Sequence, residues 1–410
     1  MNRNLLFITV VGVGILAANR SVAQQKTDVI VQWNLITVNA TKIGKQNSNL
    51  GTRTEAIEAI AVYDAVNAIK HFGTHYHYNK APAGPASAEA AAVQAAHDVL
   101  VNYFPAQKGS LDSALDTSLK GITDGPVNTG RDVGAAAAAD IIALRDNDGS
   151  SPLTTYAGID KPGVGAYRPT PGKFAPGIDV EWGNVKPFLL KDGRQFFPVP
   201  PPALGSDEYK KALGEVNELG EIKSTKRTGD QTHIAQFYKQ DAELTVNEGA
   251  RQLAISHGTT LEQNALIFAL VDIAEADARI EIWGGKYKYV AWRPVTALNA
   301  EEDGSVKAYT KWAPLINTPA HPSYPSGHSA TVTAGYEVLK KFFGDKNHLE
   351  LHTTTEGEPA RTVESLSAVE FENGYSRVYG GIHYAFENSS AQDVGRKVAE
   401  WVLKTGPHKK

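Results

Sequence analysis

Three short runs decide how this chain is read: WGGKYKYVAWRP over 283–294, HPSYPSGHS over 321–329 and SRVYGGIH over 376–383. The first holds Lys286 and Arg293-Pro294 with six residues between them. The second contains Pro325-Ser326-Gly327-His328, and the third holds Ser376-Arg377 and His383 with five residues between them. Three cationic side chains, a hydroxyl, a glycine N–H and two imidazoles make a donor-rich set suited to a tetrahedral oxyanion such as phosphate or vanadate. No carboxylate lies within the three motif cores. A single match means little, because Lys161 and Arg168-Pro169 repeat the first pattern in a Pro/Gly-rich loop with nothing to follow it. Weight comes from all three in order, separated by about thirty and then about fifty residues.

Outward from these runs, apolar spacing predicts helices. Over 54–72, Ile57, Ile60, Ala61, Ala65 and Ala68 share one face. Further helices are expected over 87–104, 111–122, 129–144, 206–219 and 228–238. A capping box at Thr260 and Gln263 opens a long helix to about residue 282, which delivers Trp283 and Lys286 at its far end. Ser326 stands as N-cap of a helix over 327–343, which turns its hydroxyl and the following N–H groups towards an anion. Helices over 364–384 and 393–403 complete an all-α chain. Between 146 and 205 proline and glycine forbid a helix, while Tyr167, Phe174, Trp182, Phe188, Phe196 and Phe197 predict an ordered wrap that walls the site entrance.

The 410 residues, 42% hydrophobic, suffice for a large core, and a net charge of −4 gives no sign of a nucleic-acid partner. Residues 1–23 have the form of a signal peptide: Arg3, an apolar run from Leu5 to Ala18, and small residues at Ser21-Val22-Ala23. The apolar run is short of a bilayer span, so an exported chain, periplasmic or secreted, is expected from 24 to 410 as one domain. The chain has no Cys, and its one Met is Met1. The exported form would then hold no sulfur, which suits a protein that releases an oxidant, although compositional drift gives the same result.

The tripartite pattern resembles that of the vanadium-dependent haloperoxidase and type 2 phosphatidic acid phosphatase superfamily. Tyr63–Asn67, Arg168–Pro171, Pro200–Leu204 and Ser224–Gln231 extend the likeness to the soluble exported bacterial haloperoxidases. The resemblance implies a helical bundle with vanadate as cofactor. Lys286, Arg293 and Arg377 would neutralise the oxyanion oxygens, with Ser326 and the Gly327 N–H as neutral donors. His383 would be the ring ligand of vanadium, or in the phosphatases the nucleophile, and His328 the acid-base. Trp283 matches an aromatic of fungal chloroperoxidases, His321 resembles the algal bromoperoxidases, and Ser329 is similar to bacterial iodoperoxidase-like members. His321 is expected to titrate near neutral pH and so to tune the site; a plain loop histidine and a plain core tryptophan are the alternatives for His321 and Trp283. Glu387 stands where many members carry Asp, which puts the geometry of that carboxylate in doubt. The implied reaction is oxidation of a halide, iodide or bromide favoured, by hydrogen peroxide to hypohalous acid that attacks a small organic acceptor. A soluble metal-free acid phosphatase with a phosphohistidine intermediate is the alternative, and a non-enzymatic oxyanion binder a third. Oligomeric state is left open.

Overall fold

The computed structural model describes residues 28–158 and 163–410. The expected signal peptide, and Lys161 of the repeated first pattern, lie outside them. The fold is all-α. In chain order the helices are α1 (Val29–Ile43), α2 (Ser48–Lys70), α3 (Ala88–Tyr103), α4 (Lys108–Leu119), α5 (Val127–Arg145), α6 (Asp207–Leu219), α7 (Gly229–Phe237), α8 (Ala242–His257), α9 (Leu261–Tyr289), α10 (Pro294–Ala297), α11 (Gly327–Phe343), α12 (Leu366–Tyr379) and α13 (Ala385–Thr405). Two small antiparallel ribbons, β1 (Thr155–Tyr156) with β2 (Gly177–Ile178) and β3 (Leu349–Leu351) with β4 (Arg361–Val363), are the sheets among the described residues.

α9 is the spine. Its capping box at Thr260 and Gln263 forms as expected, but the helix runs past residue 282 to Tyr289, so Lys286 sits inside it rather than beyond it. α2, α11 and α13 all pack on α9. A helix enclosed on all sides is ordinarily apolar all round, yet α9 buries Asp272, Glu275, Asp277, Arg279 and Glu281. Two of these carboxylates fasten the irregular wrap. Asp277 accepts from the N–H groups of Phe188, Leu189 and Leu190 at 2.7, 2.8 and 3.0 Å, and Glu281 accepts from Phe196 N–H at 2.9 Å. Burial lifts the Asp277 carboxyl to about 6 and the Glu281 carboxyl to about 7. The Tyr63–Asn67 run does similar work: Asp64 accepts from the N–H groups of Tyr76, His77 and Tyr78, and Asn67 ties down Gly73.

The wrap in turn pins the end of α9. Val290 has φ 47°, a left-handed conformation costly for a β-branched residue. Tyr167 N–H donates to its carbonyl at 2.7 Å, and Trp292 N–H donates to the Gly165 carbonyl at 2.8 Å. Arg168, in the repeated first pattern, donates to the Gly304 and Gly163 carbonyls and bridges loops instead of entering the site.

Other boundaries differ from expectation. The helix expected over 364–384 stops at Tyr379, because Gly380-Gly381 turns the chain. Gly381 takes φ +77°, and a Cβ there would lie 2.4 Å from the Gly220 carbonyl oxygen. The last helix then begins at Ala385, not 393, which puts Glu387 on its first turn. α1 and α8 were not foreseen. No helix among the described residues is long and apolar enough to cross a membrane.

Candidate active site

The three motifs converge. A cavity of about 220 Å³ is lined by Trp283, His321, Gly327, His328, Arg377 and His383, with Arg279 and the wrap residues Ile178 and Asp179 on its outer wall. Lys286 and Arg293 are fully enclosed and are not among the residues that line it. The Lys286 ammonium donates to the carbonyls of Pro322 and Ser323 at 3.1 Å each and Pro325 at 2.5 Å, which binds the first motif to the second. Arg293 joins all three: it donates to the His321 carbonyl at 3.0 Å, to His321 Nδ1 at 2.9 Å, to the Ile382 carbonyl at 2.8 Å and to His383 Nε2 at 3.1 Å. Arg377 donates to Ser376 Oγ and the Tyr238 carbonyl.

Every one of these cations is held by carbonyls, hydroxyls or imidazoles. Among the described residues none of the three forms an ion pair with a carboxylate. Buried unpaired cations are costly, and the strain appears in their acidity. Burial and the charge of Arg293 push Lys286 well below the usual lysine range, and burial brings Arg293 down to about 10 and Arg377 to about 9. Cations enclosed without a carboxylate partner favour an anion in sign, while the Lys286 ammonium gives its N–H groups to the carbonyls of Pro322, Ser323 and Pro325 and neither Lys286 nor Arg293 lines the cavity.

The imidazoles are oriented for different work. His383 Nδ1 faces Glu387 Oε2 at 2.5 Å, and that oxygen also accepts from Ser323 Oγ at 2.8 Å and Tyr384 N–H at 3.2 Å. The extra methylene of Glu387 therefore does not spoil the geometry. Burial lifts the Glu387 carboxyl to about 7, even with Arg293 lowering it. With Nδ1–H donated to Glu387, the Nε2 lone pair is left towards Arg293, as a ligating nitrogen requires. His328 Nε2 meets the Gln240 carbonyl at 3.0 Å, which leaves Nδ1 as the other ring nitrogen.

His321 is a correction. It lines the cavity and packs on Trp283 with ring centroids 5.0 Å apart, so neither is remote from the site. However, burial together with Lys286 and Arg293 holds His321 well below the usual histidine range. It stays neutral near pH 7 instead of titrating there.

Ser326 caps α11 as expected, its Oγ accepting from Ser329 N–H at 3.4 Å. Ser329 does not reach the cavity: its hydroxyl donates to Ser326 Oγ at 2.9 Å and to Asn388 Oδ1 at 3.1 Å, so it braces Ser326 from behind. At Gly327 a Cβ would lie 3.2 Å from Trp283 Cζ3, so a side chain there would press on the indole ring.

Arg279 was missed. It is buried, lines the cavity, lies over the Trp283 ring at 4.9 Å, and donates to Asn49 Oδ1 and Thr331 Oγ1 at 2.8 and 3.2 Å. Its place four residues before Trp283 and seven before Lys286 puts it on their helical face, a spacing visible in the sequence. Ser323 and the Gln240 carbonyl carry no comparable signal.

Known proteins share this fold. A family model described as the VCPO second helical-bundle domain matches residues 266–407, the stretch that holds all three motifs. Vanadium chloroperoxidase of Curvularia inaequalis is 24% identical over 324 residues, covering 56% of this chain. The chain spans about half the length of that relative, 53%. The first bacterial vanadium-dependent iodoperoxidase structure is 25% identical with a TM-score of 0.80, over 92% of this chain and 96% of that one. A holo-type bacterial vanadium-dependent chloroperoxidase shares the fold at 16% identity and TM-score 0.71, over 88% and 92%. The fold is a helical bundle that brings the three motifs together. Over residues 266–407 the chain is similar to the VCPO second helical-bundle domain, and its fold is similar to those of the bacterial vanadium-dependent haloperoxidases.

Proposed function

We propose that this chain is a vanadate-dependent haloperoxidase that oxidises halide, iodide or bromide in preference to chloride, with hydrogen peroxide. The observation that carries the reading is the cluster of three enclosed cations without a carboxylate partner, set beside His383, whose Nδ1 faces Glu387 and whose Nε2 faces Arg293. Lys286, Arg293 and Arg377 would hold the oxyanion, with Ser326 Oγ and Gly327 N–H as neutral donors. Vanadate bound there supplies a Lewis acid that activates peroxide without changing oxidation level. His328 Nδ1 takes the peroxide proton and returns it later. Glu387 keeps the His383 proton on Nδ1, and Trp283 and His321 form the wall a halide would meet. The likeness to the iodoperoxidase and the His321 wall support the halide order. Residues 24–410 act as one exported domain after loss of residues 1–23, and the hypohalous acid is passed to a small organic acceptor.

The purified protein should oxidise iodide and bromide with peroxide only after orthovanadate is added. Turnover of p-nitrophenyl phosphate without any peroxidase activity would instead establish phosphatase chemistry through His383.

A further inference from the structure

A second cluster lies away from the active-site cavity, in the packed interior between α2, α8 and α9. Glu55 on α2 and Asp272 and Glu275 on α9 each bring a carboxylate oxygen within 4.8 Å of the others. All three side chains are 0% exposed, and Glu243 on α8, 4% exposed, is a fourth carboxylate close enough for its charge to be felt at Glu55 and Glu275. Local donors do not satisfy the group. Thr41 Oγ1 reaches Glu55 Oε1 at 3.5 Å, and Asn247 Nδ2 reaches Asp272 Oδ1 at 3.1 Å and Glu275 Oε2 at 3.3 Å. Glu55 Oε2, Glu243 Oε2, Asp272 Oδ2 and Glu275 Oε1 are buried and accept nothing from the described residues. The nearby guanidiniums are engaged elsewhere, Arg251 on Asn34 and Arg279 on Asn49 and Thr331. Orphaned oxygens on four enclosed carboxylates are costly unless something positive sits among them.

We propose that Glu55, Asp272 and Glu275 hold a hard divalent cation, of the calcium, magnesium or manganese class, with the Glu243 charge beside them, between α2, α8 and α9. An all-oxygen donor set with no imidazole or thiolate selects that class over zinc or copper. The cation offsets part of the carboxylate charge and ties α2 and α8 to α9, the helix that carries Arg279, so the role of the site is structural.

The test uses the full chain produced in media supplemented in turn with Ca²⁺, Mg²⁺ and Mn²⁺, purified natively and desalted. Metal analysis, with electron paramagnetic resonance for Mn²⁺, should find a stoichiometric cation that resists desalting. It should be lost in Glu275→Gln and in Asp272→Asn, and the thermal midpoint of the metal-loaded wild type should fall when the protein is unfolded and refolded in chelator. Wild-type protein free of all three cations would overturn the proposal and assign the cluster to shared protons, whether or not the variants fold. Undiminished Mn²⁺ in both variants would overturn it equally.

Discussion

Glu387 reaches back one helical turn to His383 and fixes which nitrogen carries the proton, so the two residues should be separable by experiment. His383→Ala is expected to remove tight vanadate binding while leaving far-ultraviolet circular dichroism unchanged. Glu387→Gln keeps the shape but loses the charge, and should weaken vanadate binding by about 10–100-fold. His328→Ala should retain vanadate and lose turnover by about 10²–10⁴-fold; joint loss of binding and turnover would make His328 structural. At the halide wall, His321→Phe removes the ring nitrogen that accepts from Arg293 Nη2 at 2.9 Å. The ratio of chlorination to bromination of monochlorodimedone should rise, and an unchanged ratio would return His321 to a plain packing role. At this scale the sequence was informative where a residue's chemistry is its message, as for Lys286, Arg293 and His383. It was silent where the partner is a backbone atom, as with the three carbonyls around Lys286, or where protonation depends on neighbours distant in sequence, as for His321.

Helices were legible when they carried caps and one apolar face. Ser87, Ser206, Thr228, Thr260 and Ser326 all accept from a backbone N–H as N-caps. α8 and α9 were harder, because each buries charged groups that blur the apolar stripe, and α9 has no polar face to mark its end. The capacity of α9 to organise the site rests on those buried charges. Asp277→Ala leaves three N–H groups of the wrap without an acceptor, so a loss of about 3 kcal/mol or more is expected in denaturant titrations. Cleavage within 186–197 should become faster in limited proteolysis. Unaltered protection of that segment would show that aromatic packing alone holds the wrap.

The whole molecule concentrates ionisable groups where water is excluded, and its stability should reveal them. Glu281 has a folded pKa of about 7, raised by burial above its ordinary 4.5. The folded chain therefore binds a proton that the unfolded chain releases between those values. Its contribution is fully present below pH 4.5 and is lost as pH rises through 7. His328 and His383, lowered by burial, act in the opposite sense and lose their contribution as pH falls below the usual histidine range. Comparing wild type with Glu281→Gln isolates the first effect: the variant should lose less stability between pH 5 and 8, by at most about 3 kcal/mol. Identical pH slopes would mean that Glu281 ionises freely in the folded state. The same principle governs the active site, where enclosed cations lack an anion.

Equilibrium dialysis of the purified protein against orthovanadate, followed by ⁵¹V nuclear magnetic resonance, tests that claim most directly. Stoichiometric vanadate, displaced by excess orthophosphate and absent from His383→Ala, is the predicted result, because Lys286, Arg293 and Arg377 cannot distinguish two tetrahedral oxyanions by charge. Failure to bind vanadate, or binding indifferent both to phosphate and to His383→Ala, would contradict it.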